Sequence, residues 1–352
     1  MRARGTLLNA LVLVLSVIVT LGMLEVIIRI FLPQPLSPLL HASDKVLGIR
    51  QIPGVKGRLR SSEFDTRVAT NSRGLRDVEH TYSKPPGTRR MLCLGDSFTF
   101  GYGVEADQTF PKVMEKLLND RPGLTEPWEV VNAGVPGTGT AYELAYFTTE
   151  GCKYEPDVVL VAVCGMNDFS DNLRSKLYSF ENGRLTKPER QVGGYGKLRL
   201  FFQRLPGYRF VFSRSHLMTL VNRRVIVPIF AGRGRPQADP VLVQTRLKAA
   251  YELTEQIFLA FRDACESRNC ALVVTVVPNL DISGVTQQVS DLVEFLKSRN
   301  IPYVDLFPRF IEEKAHGGQN LYLLDHHLTV AGNRLAAEVL SDYFAGYQSP
   351  AN

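Results

Sequence analysis

Four short polar clusters in the 352-residue chain carry side chains that could together perform acyl transfer. Gly95-Asp96-Ser97 offers a hydroxyl nucleophile, and Asn132-Ala133-Gly134 a backbone that a ligand can approach closely. Gly165-Met166-Asn167-Asp168 offers a carboxamide donor, and Asp325-His326-His327 an imidazole with a carboxylate beside it. A serine hydroxyl is a weak nucleophile until a neighbouring imidazole accepts its proton, and the oxyanion that follows needs fixed donors. Singly, each cluster reads as well as a turn, a helix cap or surface polarity. Together they supply nucleophile, base, orienting acid and oxyanion donors. No G-x-G-x-x-G or G-x-x-x-x-G-K-[ST] follows a strand-like run, and no C-x-x-C or H-E-x-x-H occurs. Nothing in the chain therefore calls for a nucleotide, a metal or any other cofactor.

These clusters need elements to hold them. Apolar, strand-like runs fall at 91–94, 129–132, 158–164, 271–277 and 303–306, and amphipathic helical stretches at 110–119, 142–152, 241–268, 285–299 and 330–345. Short β-branched runs separated by helices mean crossover connections, hence an α/β domain with a parallel sheet covered on both faces. Three clusters end a strand and the fourth precedes the last helix. Ligands of an open parallel sheet bind outside the carboxyl ends of its strands, so all four converge on one rim.

Hydrophobic residues make up 45% and charged residues 22%, which fits a globular protein and excludes wholesale disorder. Residues 6–24 are uncharged over 19 positions, roughly 28 Å of helix at ~1.5 Å per residue, and Pro33 and Pro35 follow. The run has apolar residues on every side and a poor cleavage site, so it reads as an uncleaved transmembrane anchor. Arg2 and Arg4 favour a cytoplasmic tail at 1–5, an anchor over 6–32, and an extracytoplasmic stem over 33–88. The catalytic domain then occupies 89–346 and is interrupted by an insert at 171–240. Residues 171–236 carry 14 Lys/Arg against 3 Asp/Glu in a chain whose net charge is only +6, so the protein is not a nucleic-acid-coating one. The insert reads either as a solvated basic face or as a seat for an anionic polymer or anionic lipid. Cys265 and Cys270 could form a disulfide in an oxidising compartment, whereas Cys93 and Cys164 fall in apolar runs.

In order and content the four clusters resemble those of the SGNH (GDSL-type) hydrolase superfamily, across about residues 89–345. The anchor, followed by Asn71-Ser72-Arg73-Gly74-Leu75-Arg76-Asp77, is similar to membrane-attached bacterial members. The resemblance implies a three-layer αβα, flavodoxin-like fold with a five-stranded parallel sheet. It implies Ser97 as nucleophile, His327 as base, Asp325 as the orienting acid, and an oxyanion hole made by the Ser97 and Gly134 backbone N–H groups and the Asn167 side chain. One departure is visible: Asp325 and His327 are separated by one residue, where the family usually has two. If 325–329 is extended, alternation puts Asp325 and His327 on one face and His326 on the other.

The expected activity is ester hydrolysis through an acyl-enzyme, removing acetyl or other acyl groups from an extracytoplasmic saccharide or lipid. A periplasmic location follows if the source is Gram-negative. The same parts would serve an O-acyltransferase of exopolysaccharide modification, and a polysaccharide-binding protein with a decayed site is a third reading.

Overall fold

The computed structural model describes residues 2–34, 36–124, 126–165, 167–189, 194–231, 240–278 and 287–347. Helix α1 (Arg2–Phe31) is followed by two antiparallel hairpins, β1 (His41–Asp44) with β2 (Gly48–Gln51), and β3 (Lys56–Arg60) with β4 (Asp65–Ala69). The alternating segment runs β5 (Arg89–Gly95), α2 (Ser97–Phe100), α3 (Phe110–Asn119), β6 (Trp128–Asn132), α4 (Thr140–Thr149), β7 (Val158–Cys164) and α5 (Asp168–Ser175). A small hairpin, β8 (Ser179–Glu181) with β9 (Arg184–Thr186), leads to the short helices α6 (Gly194–Gln203), α7 (Tyr208–Phe212) and α8 (His216–Val221). A π-helical turn (Asn222–Ile226) and α9 (Val227–Ala231) continue α8. The chain closes with α10 (Pro240–Glu266), β10 (Ala271–Val277), α11 (Gln287–Ser298), β11 (Tyr303–Asp305), α12 (Phe307–Ala315) and α13 (Val330–Ala345). The expected helix over 285–299 begins outside the described residues, and its described part is α11.

Five strands form one parallel sheet in the order β11-β10-β7-β5-β6. All seven residues of β7 are apolar and buried, as a central strand covered on both faces requires. Helices α3 and α13 pack together on one side, while α4, α5, α10 and α11 form the other layer. The fold is the three-layer αβα sandwich that the alternating pattern implies. The chain begins the sheet at β5, adds β6 on one side and then β7 on the other. Crevices form at such reversals, so the ends of β5 and β7 define where a ligand binds.

The described residues of 40–192 and 237–352 make one compact unit, and those of 1–39 and 193–236 another. The stretch expected to be a stem thus joins the catalytic body from Leu40 onward, with Leu47 and Leu75 in its main core. Leu40, Leu59 and Val68 close a second cluster with Phe100. The expected insert divides as well: α5 and the β8–β9 hairpin belong to the body, while α6 to α9 belong with α1. Residues 8–31 of α1 are long and apolar enough to cross a membrane or to serve as a signal sequence. All five cysteines are free thiols, and the Cys270 thiol reaches the Cys265 carbonyl at 3.4 Å.

A buried cation fastens the N-terminal hairpins to the rim. Arg76 is 1% exposed and donates to Phe100 O (2.9 Å), Gly101 O (2.5 Å), Val104 O (2.5 Å) and Arg67 O (3.1 Å). Burial pulls its pKa down to about 10, so it stays charged at neutral pH. Replacing Arg76 by Met strips buried carbonyls of their donor and should cost about 3 kcal/mol or more in urea unfolding. A loss under about 1 kcal/mol would mean that the clamp is dispensable.

Candidate active site

Ser97 is the first residue of α2, and the Asp96 carboxylate caps that helix by accepting the Phe98 N–H at 2.9 Å. The Ser97 N–H has no acceptor among the described residues and lies at the open end of β5. His327 comes from the other end of the chain. Its Nε2 lies 2.8 Å from Ser97 Oγ, across 230 residues of sequence. With the proton on Nδ1, Nε2 is free to accept the hydroxyl proton. The imidazole is flanked by the Phe98 and Tyr102 rings, with centroids 5.1 and 4.7 Å away.

Asp325 and His327 do share a side, but not through an extended segment. The Tyr322–Leu328 bridge closes a tight loop, in which the His326 N–H donates to Leu323 O (2.9 Å) and the Leu323 N–H to His327 O (2.8 Å). His326 takes a left-handed conformation (φ 75°) and is exposed, so the turn rather than strand alternation brings its two neighbours together. Asp325 Oδ1 stands 3.0 Å from His327 Nδ1. It also accepts the His327 backbone N–H at 3.3 Å, and among the described residues no acceptor is aligned with the ring N–H. The Asp325 side chain is 45% exposed, so the contact is a loose, solvated one.

The expected oxyanion donors divide. Asn167 directs its amide at Asp171 Oδ2 (3.0 Å) and Asp96 Oδ2 (3.4 Å), which places it at the end of β7 beside the serine turn. The Gly134 N–H donates to Asn132 Oδ1 at 3.1 Å and so is already paired with the end of its own strand. A Cβ on Gly134 would lie 2.2 Å from Phe100 N and 2.6 Å from Thr99 C. Glycine is needed there because the loop after β6 packs directly on the backbone of α2.

Two groups of residues that hold the site escaped the sequence reading. The Asp77 side chain is buried, accepts the Asn132 N–H at 2.7 Å, and faces His80 Nε2 at 3.1 Å. Asn132 in turn donates to Thr99 O at 2.8 Å. Arg76 and Asp77 therefore brace the loops after β5 and β6 from one dipeptide. Their signal was two opposite charges ending the Asn71–Asp77 cluster. The second group is acidic: Asp96, Glu143 and Asp168 are each at most 1% exposed. Neither Glu143 carboxyl oxygen has a partner among the described residues, nor does Asp168 Oδ1, while Asp168 Oδ2 accepts the Cys164 N–H at 2.9 Å. Burial pushes the Glu143 and Asp168 carboxyls well up, and the Asp96 charge pushes further. Burial raises Asp96 itself to about 6, against the Phe98 N–H, the Asn167 amide and the nearby His327, which hold it down. The signal for Glu143 was a lone acid among the apolar residues of α4.

The arrangement can move a proton from Ser97 to His327 and receive a carbonyl carbon at Ser97 Oγ. The family model described as GDSL-like Lipase/Acylhydrolase family matches residues 93–335. Among solved structures, the chain is similar to an acetyl xylan esterase (13% identity, TM-score 0.41, covering 72% of this chain and 98% of that one). It is also similar to a psychrotrophic esterase from Pseudoalteromonas sp. (13%, TM-score 0.41, 73% and 96%). A two-domain esterase active on acetylated mannans is another (13%, TM-score 0.42, 75% and 52%). No curated protein matches the chain.

The buried acids set a pH dependence. Each holds its proton more tightly in the folded than in the unfolded chain, so the folded state binds more protons across the window above the ordinary carboxyl values. Stability therefore falls as pH rises, for Asp96 from near its ordinary 3.8 to about 6. Glu143→Gln has nothing to titrate, so its urea-unfolding stability should fall less between about pH 4 and 7 than that of the parent. Parallel profiles would mean that Glu143 is ionised in the fold.

Proposed function

The chain belongs to the GDSL-like lipase/acylhydrolase family, and from that premise we propose a membrane-anchored serine esterase that removes acetyl or other short acyl groups from an extracytoplasmic saccharide or lipid. The observation that carries this reading is the 2.8 Å approach of His327 Nε2 to Ser97 Oγ at the carboxyl end of β5. Ser97 Oγ attacks the ester carbonyl while its proton passes to Nε2. The oxyanion takes hydrogen bonds from the Ser97 N–H and from Asn167, whose amide swings one N–H away from a carboxylate. The tetrahedral intermediate collapses, the imidazolium protonates the departing alkoxide, and the acyl group stays on Ser97. Water, deprotonated by His327, then attacks the acyl carbon, and the acid leaves as Ser97 regains its proton.

Gly134 serves this scheme by shape, because its N–H is already given to Asn132. Asp325 supports His327 only loosely. The buried Asp96 carboxylate, once ionised, adds negative charge near the imidazolium.

The anchor reading is supported by contacts between α1 and a later part of the chain. Glu25 accepts hydrogen bonds from Ser215 Oγ, the His216 N–H and the Leu217 N–H, and Arg29 donates to Arg214 O. Cleavage within 1–32 would strip α8 of this cap, which favours a retained helix over a removable leader. The cationic Arg2 and Arg4 would stay in the cytoplasm, with the body outside.

Kinetics on p-nitrophenyl acetate test the chemistry. Ser97→Ala and His327→Ala should each lose at least about 10³-fold in kcat/KM, since neither half of the proton transfer works alone. Asp325→Asn should lose only about 10-fold, well below the ~10⁴-fold expected of a buried, aligned acid. His326→Gly should stay within about twofold and fold at least as well, because glycine accepts its left-handed backbone. An inactive His326→Gly beside an active His327→Ala would refute the assignment. Product masses with an oligosaccharide acceptor present should show free acid, whereas acylated sugar would mark a transferase. For the topology, protease added to spheroplasts should degrade the body, and a fully protected chain would overturn it.

A further inference from the structure

The unit that contains α1 has a second part with no covering of its own. Between residues 194 and 231 there are seven Lys/Arg and no Asp/Glu. Among the described residues of that segment none is buried, although Phe201 is 59%, Phe210 62% and Ile229 62% exposed. Large apolar side chains in water cost free energy in proportion to their area, so a segment of this composition needs something to lie against.

The position of Glu25 says what that is. It lies six residues before the end of α1, inside the apolar stretch that runs to Phe31. An ionisable group within a bilayer span needs partners at its own depth. Besides Arg29 one turn on (3.2 Å), its partners are Ser215 Oγ (2.8 Å), the His216 N–H (3.0 Å) and the Leu217 N–H (2.9 Å). Gln34 N–H donating to His216 Nδ1 (2.8 Å) and Arg29 donating to Arg214 O (3.1 Å) fix the same segment to the end of α1. Six helical residues span about 9 Å, so the start of α8 is drawn roughly that far below the point where α1 leaves the hydrocarbon. Interfacial helices lie at about this depth, ~5–10 Å.

We propose that α6 to α9 form an interfacial collar that rests on the anionic head groups of the membrane that α1 crosses, with Phe201, Phe210 and Ile229 among the acyl chains. This rests on the anchor reading above and deepens it. Arginines such as Arg209, Arg223 and Arg224 extend to lipid phosphates while their stems stay with the apolar layer. Exposed Ile229 and Val211 suit acyl chains, whereas a hydrated acidic polysaccharide offers them nothing to pack against.

The full-length protein, carrying Cys152→Ala and one environment-sensitive dye, would be reconstituted in phosphatidylcholine–phosphatidylglycerol vesicles with nitroxide-labelled lipid. Dyes at Val14→Cys and Phe210→Cys should be quenched by the lipid nitroxide at least twofold more than a dye at the exposed Val78→Cys, and shielded from aqueous iodide. Adding Arg223→Glu and Arg224→Glu should lower the quenching at position 210 at least twofold and leave that at position 14 unchanged. An unquenched position 14 would defeat the anchor, and the collar with it. A quenched position 14 beside an iodide-accessible position 210 would defeat the collar alone. Quenching at position 210 that ignores the arginine replacements would remove the anionic head group from the account. Shielding of position 210 only on adding a soluble polyuronate would make the segment a polymer site and overturn the proposal.

Discussion

The active rim depends on one buried guanidinium. Arg76 faces no carboxylate within ion-pair distance among the described residues, and four backbone carbonyls carry its charge instead. Three of them belong to the last residue of α2 and the loop that follows it, so the cation decides where that loop lies. Tyr102, which flanks the His327 imidazole, rides on it, and the Tyr102 N–H donates to Ser97 O at 3.0 Å. The neighbouring Asp77 does the same for the next loop through the Asn132 N–H. Two adjacent residues of opposite charge thus hold two strand ends in register. A buried ion held this way is costly to disturb, because each carbonyl would be left without a donor.

Beneath the rim the electrostatics run in the opposite sense. Burial pushes all three buried carboxyls up, Glu143 and Asp168 furthest because the Asp96 charge adds to it, while the Phe98 N–H, the Asn167 amide and His327 hold Asp96 down. Its charge sits near His327 and accepts from Asn167, so it stabilises the imidazolium and orients the amide together.

The sheet and the site were legible to different depths in the sequence. All five strands appear as runs such as 158–164 and 271–277, because burial on both faces demands uninterrupted apolar residues. Ser97 was legible because strand ends limit where reactive side chains can gather, and His327 through the family resemblance of the Asp-His-His cluster; the structure brings the two to 2.8 Å. The turn at His326 was not, since a histidine in left-handed backbone leaves no compositional mark and the closing Tyr322–Leu328 bridge is a long-range fact. The direction of the Gly134 N–H was equally hidden, because it is set by the Asn132 side chain. The 171–240 segment looked like one insert because basic charge runs through it. Its division follows from packing, with Leu177 buried in the body core and Ser215 held by Glu25.

The claim at the centre of this account is that Ser97, activated by His327, forms a covalent acyl-enzyme. Reaction of the full-length protein with a p-nitrophenyl dialkyl phosphate isolates that step, because phosphorus traps the nucleophile. The account predicts release of one nitrophenolate per chain, a single dialkylphosphoryl adduct that maps to the peptide containing Ser97, and parallel loss of esterase activity. No adduct should form in His327→Ala on the same time scale. An adduct on any other residue, or full esterase activity after Ser97 is modified, would contradict it.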